Sequence, residues 1–275
     1  MQKLPPILAA LIAVQATLGL AAPTLYRDPG WIKATWFGND WITLVVAAPL
    51  LIAAQRAAQA GSIRGELVRI GAVAYAGYND AFYLFGAALN AFFPLYIIIL
   101  AVAVCTLTAA LCRVDPFAIA QSMRPATPMR SVGGYLMFVG SALALVWIGM
   151  WSAYVFAGRA APVAPEAFKI VAALDLLWLV PSLVGGGALL WNRRPWGCVI
   201  AAGASIQGAL YLLVLSVNSM VAIHRGFAAW PGELPIWAPL SALTWLAALL
   251  LVLNISPSVA VCRNSGRTCS PYRSR

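Results

Sequence analysis

Eight apolar stretches of about twenty residues run along this chain, near residues 4–22, 36–55, 70–90, 93–112, 134–157, 169–191, 197–222 and 237–256. A helix rising about 1.5 Å per residue needs about 20 apolar residues to cross a hydrocarbon core about 30 Å thick. Each stretch therefore reads as a membrane span. Closed β-barrels are the other way to cross a bilayer, but they need apolar and polar residues alternating in segments of about 10. These runs are continuous, so the sequence predicts an all-α, polytopic transmembrane helix bundle of about eight spans.

Charge agrees and gives an orientation. Only 9% of the residues are charged, against about 25% in soluble domains. With the N-terminus inside, Lys3, Arg56, Arg64, Arg69, Arg113, Arg124, Arg130, Arg193, Arg194 and the four arginines after residue 257 fall on the cytoplasmic side. Arg27, Lys33, Arg159, Lys169 and Arg225 fall outside. Cationic residues concentrate in cytoplasmic loops, so both termini are expected in the cytoplasm. The formal net charge of +10 then follows from topology, and nucleic-acid binding is not needed to explain it. Trp31, Trp36, Trp41, Trp191, Trp196, Trp230 and Trp237 stand near span ends, as an interfacial aromatic belt requires. Lys3 and Leu20-Ala21-Ala22 resemble parts of a signal peptide, but Pro23 after the cut and the length of the apolar run favour an uncleaved first helix.

The connections suggest two halves. Residues 113–133 hold Pro116, Pro125, Pro128 and three arginines, and read as a cytoplasmic linker between halves 1–112 and 134–256. Ala91-Phe92 and Asn192-Arg193-Arg194-Pro195 read as tight turns, and the basic tail 257–275 as disordered. An offset of 132 residues pairs Pro49 with Pro181, Gly65 with Gly197 and Gly71 with Gly203. It also aligns spans one to three with five to seven, while the eighth falls out of register by about a dozen residues, so a 4+4 parallel repeat is one reading and chance alignment of Ala-rich helices the other. Transporters built from repeats bind substrate near the midplane between them.

Two acids lie inside the apolar runs. Asp80 is eleven residues past Arg69, roughly 16 Å along a helix and near the centre of the membrane. Asp175 is six residues past Lys169, roughly 9 Å below the outer surface. Asp40 follows Gly38-Asn39 near the outer end of the second run, where it could also act as a helix cap. A carboxylate at membrane depth costs about 2.5–3.5 kcal/mol on insertion scales, and such a residue is a functional-site hypothesis by default. No Lys or Arg lies inside a span, which leaves a proton, a transported cation or a hydrogen-bonding solute to offset the cost.

Polar residues recur beside these acids at helical spacing. Gly71, Tyr75, Asn79, Tyr83, Gly86 and Asn90 mark one face of the third span, and Gly203, Gln207, Tyr211 and Asn218 one face of the seventh. Small and amide residues also serve as interhelical glue, so packing competes with ligand contact at each position. The candidate solute- or ion-binding residues are Asp40, Asn79, Asp80, Asp175, Gln207, Tyr211 and Asn218.

Several chemistries find no support. One histidine, His224, rules out a multi-histidine metal cage. Cys105, Cys112, Cys198, Cys262 and Cys269 lie in spans or on the inner side, where thiols stay reduced. Gly185-Gly186-Gly187 lies within a span and lacks the Lys-Ser/Thr of a phosphate loop; with Pro181 it reads as a bend or close-packing site. No cofactor motif is found, no nucleophile with a base is recognisable, and the Gly-Xaa-Gly-Asp context of presenilin-type proteases is absent.

The run from Phe37 to Leu50, Gly61-Ser62-Ile63-Arg64-Gly65, the stretch from Tyr75 to Phe93 and Trp191-Asn192-Arg193-Arg194-Pro195-Trp196-Gly197 resemble a bacterial family of polytopic inner-membrane proteins to which no activity is assigned. The resemblance covers about half the chain and implies architecture and location only. Three readings remain open: a protein binding or moving a small solute or cation through an outward-facing polar pocket, a non-catalytic accessory or sensor protein, and a membrane enzyme acting on a lipid or quinone.

Overall fold

The structure, a computed structural model, describes residues 3–161 and 164–256 and is helical throughout, apart from an isolated antiparallel bridge between Met123 and Ile255. The basic tail expected at 257–275 lies outside the described residues. The helices are α1 (Leu4–Ala21), α2 (Gly30–Ile42), α3 (Ala48–Gln59), α4 (Ile63–Gly86), α5 (Phe93–Leu111), α6 (Pro116–Ser122), α7 (Met129–Ala157), α8 (Pro165–Leu174), α9 (Val180–Trp191), α10 (Pro195–His224) and α11 (Leu234–Leu253). Helices α2 and α3 run on as one through a π turn at Thr43–Ala47, and α8 and α9 through another at Asp175–Leu179.

Every predicted apolar stretch is helical, and seven of the resulting helices are long and apolar enough to cross a membrane. This is a multi-pass membrane protein. The long helix outside that set is α4, whose glycines, tyrosines, Asn79 and Asp80 make it too polar. Its position explains the composition: residues 70–81 form an unbroken buried run, as do residues 201–210 of α10. These two helices form the centre, so their polar side chains meet protein and not lipid. Gly71 makes their crossing close. A Cβ there would lie 2.5 Å from the Ile206 Cβ and 2.9 Å from the Gly203 carbonyl oxygen.

Both π turns have a local cause. Pro49 and Pro181 stand at the start of α3 and α9. A proline inside a helix offers no N–H and its ring collides with the carbonyl four residues back. A wider turn absorbs the collision and lets other donors reach the freed carbonyls. The two long helices also end alike, at Gln59 and Trp191. In the turns that follow, Gly65 sits against Ala57 and Ala58, and Gly197 against Leu189 and Leu190.

Several boundaries differ from expectation. The helices run further than their apolar cores: α2 begins at Gly30 and α4 at Ile63, where the Ser62 Oγ accepts from the Gly65 N–H at 3.2 Å and caps the helix. Hydropathy sees only the lipid-facing part of a helix, whereas caps set its ends. Residue 40 is therefore deep within a helix, and Asp40 is not a cap. The tight turn expected at Ala91-Phe92 is instead a loop over residues 87–92. The chain leaves α4 at Gly86, and the Asn90 Oδ1 accepts from the Phe92 N–H at 2.8 Å, so Asn90 belongs to a turn and not to the α4 face.

The segment 113–133 is more ordered than a linker. Asp115 caps α6 by accepting from the Phe117 and Ala118 N–H groups. The Arg124 N–H donates to the Asn254 carbonyl, and the Ser256 N–H to that of Ser122. Arg64 donates to the carbonyls of Leu253 and Ile255, tying the end of α11 to the start of α4.

Candidate functional site

The three intramembrane acids are each 1% exposed, yet their surroundings differ in kind. Asp40 and Asp175 are held by donors from distant parts of the chain. Asp80 is not.

Asp40 of α2 sits against α1 and α4. The Tyr26 hydroxyl donates to its Oδ2 at 2.7 Å and the Tyr83 hydroxyl to its Oδ1 at 2.9 Å. Gly19 of α1 has no room for a side chain, because the Asp40 carboxyl and the Tyr26 hydroxyl fill that space. Around the pair stand stacked rings: Trp36 and Tyr83 are 4.7 Å apart between centroids, and Tyr83 and Tyr96 are 5.3 Å apart. Tyr26 lies in the α1–α2 connection, where burial and then the Asp40 charge push its phenol above the ordinary value. It remains a donor.

Asp175 opens the second π turn. The Tyr78 hydroxyl of α4 donates to its Oδ1 at 2.5 Å, and the Trp147 Nε1 of α7 donates to its Oδ2 at 2.8 Å. The Tyr78 ring packs edge-on against Tyr211 of α10, with centroids 5.0 Å apart. One carboxyl thus links α4 and α7 to the π turn, and the Tyr78 ring extends the contact to α10. Both oxygens of each of these two acids accept a hydrogen bond, which suits a carboxylate: an ionised acid can only accept.

Asp80 differs. Its Oδ1 is buried and has no hydrogen-bond partner. Asp40 is close enough to interact with it electrostatically, and Tyr75 interacts with both acids. Tyr75 shares a hydrogen bond of 3.2 Å with Thr43, the first residue of the other π turn. A second acceptor without a donor is the Gln15 Oε1 of α1. Leu8 and Ile12 of α1 share an apolar cluster with Val73 and Ala76 of α4, and Gln15 and Asp80 each follow about one turn further along their helices. Leaving a buried polar atom unpaired costs about 1–3 kcal/mol.

Of the remaining candidates, Asn218 donates through Nδ2 to the Asn39 Oδ1 at 3.4 Å, over Gly38, while its own Oδ1 is buried without a partner. Gln207 is buried with its Nε2 unpaired, and Asn79 is buried on α4. The structure therefore groups Asp40 with Asp80, and Asp175 with Tyr211. Sequence reasoning missed Tyr26, Tyr78, Trp147 and Gln15. Gln15 alone had a visible signal, an amide in the middle of the first apolar run.

Among the described residues no three His, Cys, Asp or Glu side chains converge as metal ligands. A cavity of about 490 Å³ opens beside Lys33, Phe37 and Arg225, and none of the seven candidates lines it. Neither protein-family models, nor curated proteins, nor solved structures give a match to this chain.

Proposed function

We propose that this multi-pass membrane protein binds a proton or a small monovalent cation at Asp80 and uses that site to bind or move a small solute from the outer side. The carrying observation is the buried Asp80 Oδ1 without a hydrogen-bond partner. Surplus acceptor oxygens are what a cation or a proton satisfies, and oxygen donors suit hard cations. Near Asp80 the other carboxyl is Asp40, which adds negative charge and no compensation.

On this reading α4 is an eighth span, shielded from lipid by the helices around it, and both termini are cytoplasmic. The chain is a parallel 4+4 repeat. Supporting that arrangement, the π turns, the prolines after them, the helix ends at Gln59 and Trp191 and the glycines in the following turns all recur at the offset of 132 residues. The central α4–α10 crossing lies on the axis between the halves, where repeat-built transporters place their sites. The family resemblance agrees with a bacterial inner-membrane location.

A second reading holds for Asp40 and Asp175. Both are saturated with phenol and indole donors, which favours helix-joining over ligand exchange for these two.

The test is a thermal-unfolding series on purified protein in sodium, lithium, potassium or choline salts at constant ionic strength, from acid to alkaline pH, with Asp80→Asn beside the wild type. Loss of the ion or pH dependence in Asp80→Asn supports the site. Identical dependence in both proteins removes it.

A further inference from the structure

Lys33 and Arg225 line the same outer cavity from different parts of the chain, and among the described residues neither forms an ion pair with an acid. Lys33 lies in the first turn of α2, whose residues carry no acid, and Pro29 before it provides no side-chain cap. Arg225 follows the last residue of α10, with its guanidinium carbon 4.1 Å from the centre of the Phe37 ring. Among the described residues the ion pair is that of Arg69 with Glu66, far from this end. Asp28 accepts from the Ala88 N–H through Oδ1 and keeps a buried Oδ2 without a partner, and Glu233 accepts from the Trp237 indole.

The cavity is an open depression of about 490 Å³, lined by Pro23, Thr24, Gly30, Phe37 and Phe227 besides the two cations. Stacking on Phe37 fixes the Arg225 head, so its planar fork is pre-organised. The α2 N-terminus at Gly30 adds positive potential at the same wall. Two cations lining one open depression leave it positive, and on the outer side they also run against the topological preference for inner positive charge. A bound oxyanion relieves both.

We propose that this cavity binds an oxyanion, a phosphate or carboxylate with an apolar portion against Phe37 and Phe227. The source is either a lipid headgroup or a free solute, and the two give different results below. The site is separate from Asp80 and does not rest on the cation reading.

The experiment uses the full chain in phosphatidylcholine nanodiscs. Its melting temperature is measured with inorganic phosphate, with hexanoate, and in discs containing phosphatidylglycerol. Wild type is compared with Lys33→Gln, Arg225→Gln, Arg225→Lys and the inner-side control Lys3→Gln. An oxyanion arm is expected to stabilise wild type and Lys3→Gln equally. Its half-saturating concentration should rise at least tenfold in Lys33→Gln and Arg225→Gln, and by less in Arg225→Lys, which keeps the charge and loses the fork. A response confined to phosphatidylglycerol discs identifies the headgroup, and one to the soluble anions identifies a free solute. No response of the wild type in any arm, or equal responses in all the variants, overturns the proposal.

Discussion

Tyr78 on α4 donates its hydroxyl to the Oδ1 of Asp175, 97 residues away, at the point where the α8–α9 helix widens into its π turn. With Trp147 on the other oxygen, this contact fastens α4, α7 and the π turn together around one carboxyl. Tyr78→Phe keeps the ring and leaves a buried oxygen without its donor. The expected loss is about 1–3 kcal/mol of stability, and Trp147→Phe should act similarly. In a double-mutant cycle, Tyr78→Phe should cost much less once Asp175 is Leu, which has no acceptor, because the two residues share one interaction. Additive losses, read from unfolding in detergent, would show that the bond does not contribute.

The Asp40 cage predicts a steric effect in addition to a hydrogen-bonding one. Gly19→Ala drives a methyl group into the Asp40 carboxyl and the Tyr26 hydroxyl. It should destabilise by about 1–3 kcal/mol, the usual cost of overpacking. Gly149→Ala on α7 and Gly185→Ala on α9, where a Cβ meets open space, should be neutral or slightly stabilising. Melting temperatures of the three variants in one detergent make the comparison.

The central crossing predicts an asymmetry between two glycines. Gly71→Ala meets the Ile206 Cβ at 2.5 Å and the Gly203 carbonyl oxygen at 2.9 Å, whereas Gly203→Ala meets the Ile70 Cγ2 at 3.2 Å, a contact a small side-chain shift relieves. Gly71→Ala should therefore lower the melting temperature clearly more than Gly203→Ala. Equal effects would contradict the packing described.

These contacts mark where sequence reading runs out. Twenty-residue apolar runs locate every long helix, because hydropathy and length alone decide what can cross lipid. Helix ends are less visible: they depend on Ser62 capping α4 and on Asn90 turning the chain after Gly86. Pro181 with the triple glycine hinted at a bend in the α8–α9 helix, but the matching π turn before Pro49 was not read from the sequence. The acids themselves were legible as costly residues, but their partners were not. Tyr26, Tyr83, Tyr78 and Trp147 come to them from 14 to 97 positions away, and no local period carries that information. Only the structure separates Asp80, with an unpaired oxygen, from two acids that are fully hydrogen-bonded.

The Asp80 site makes the sharpest demand. If the wild type holds a proton there, its stability falls as pH rises, because the carboxylate is then left buried and unpaired. If it holds a small cation, sodium or lithium stabilises it relative to choline.

The measurement that tests the account most directly is the melting temperature of wild type and Asp80→Asn across pH, in sodium and in choline at equal ionic strength. A pH- or sodium-dependent shift in the wild type that vanishes in a folded Asp80→Asn protein is the predicted result. The same shift in both proteins, or none in the wild type, would contradict it.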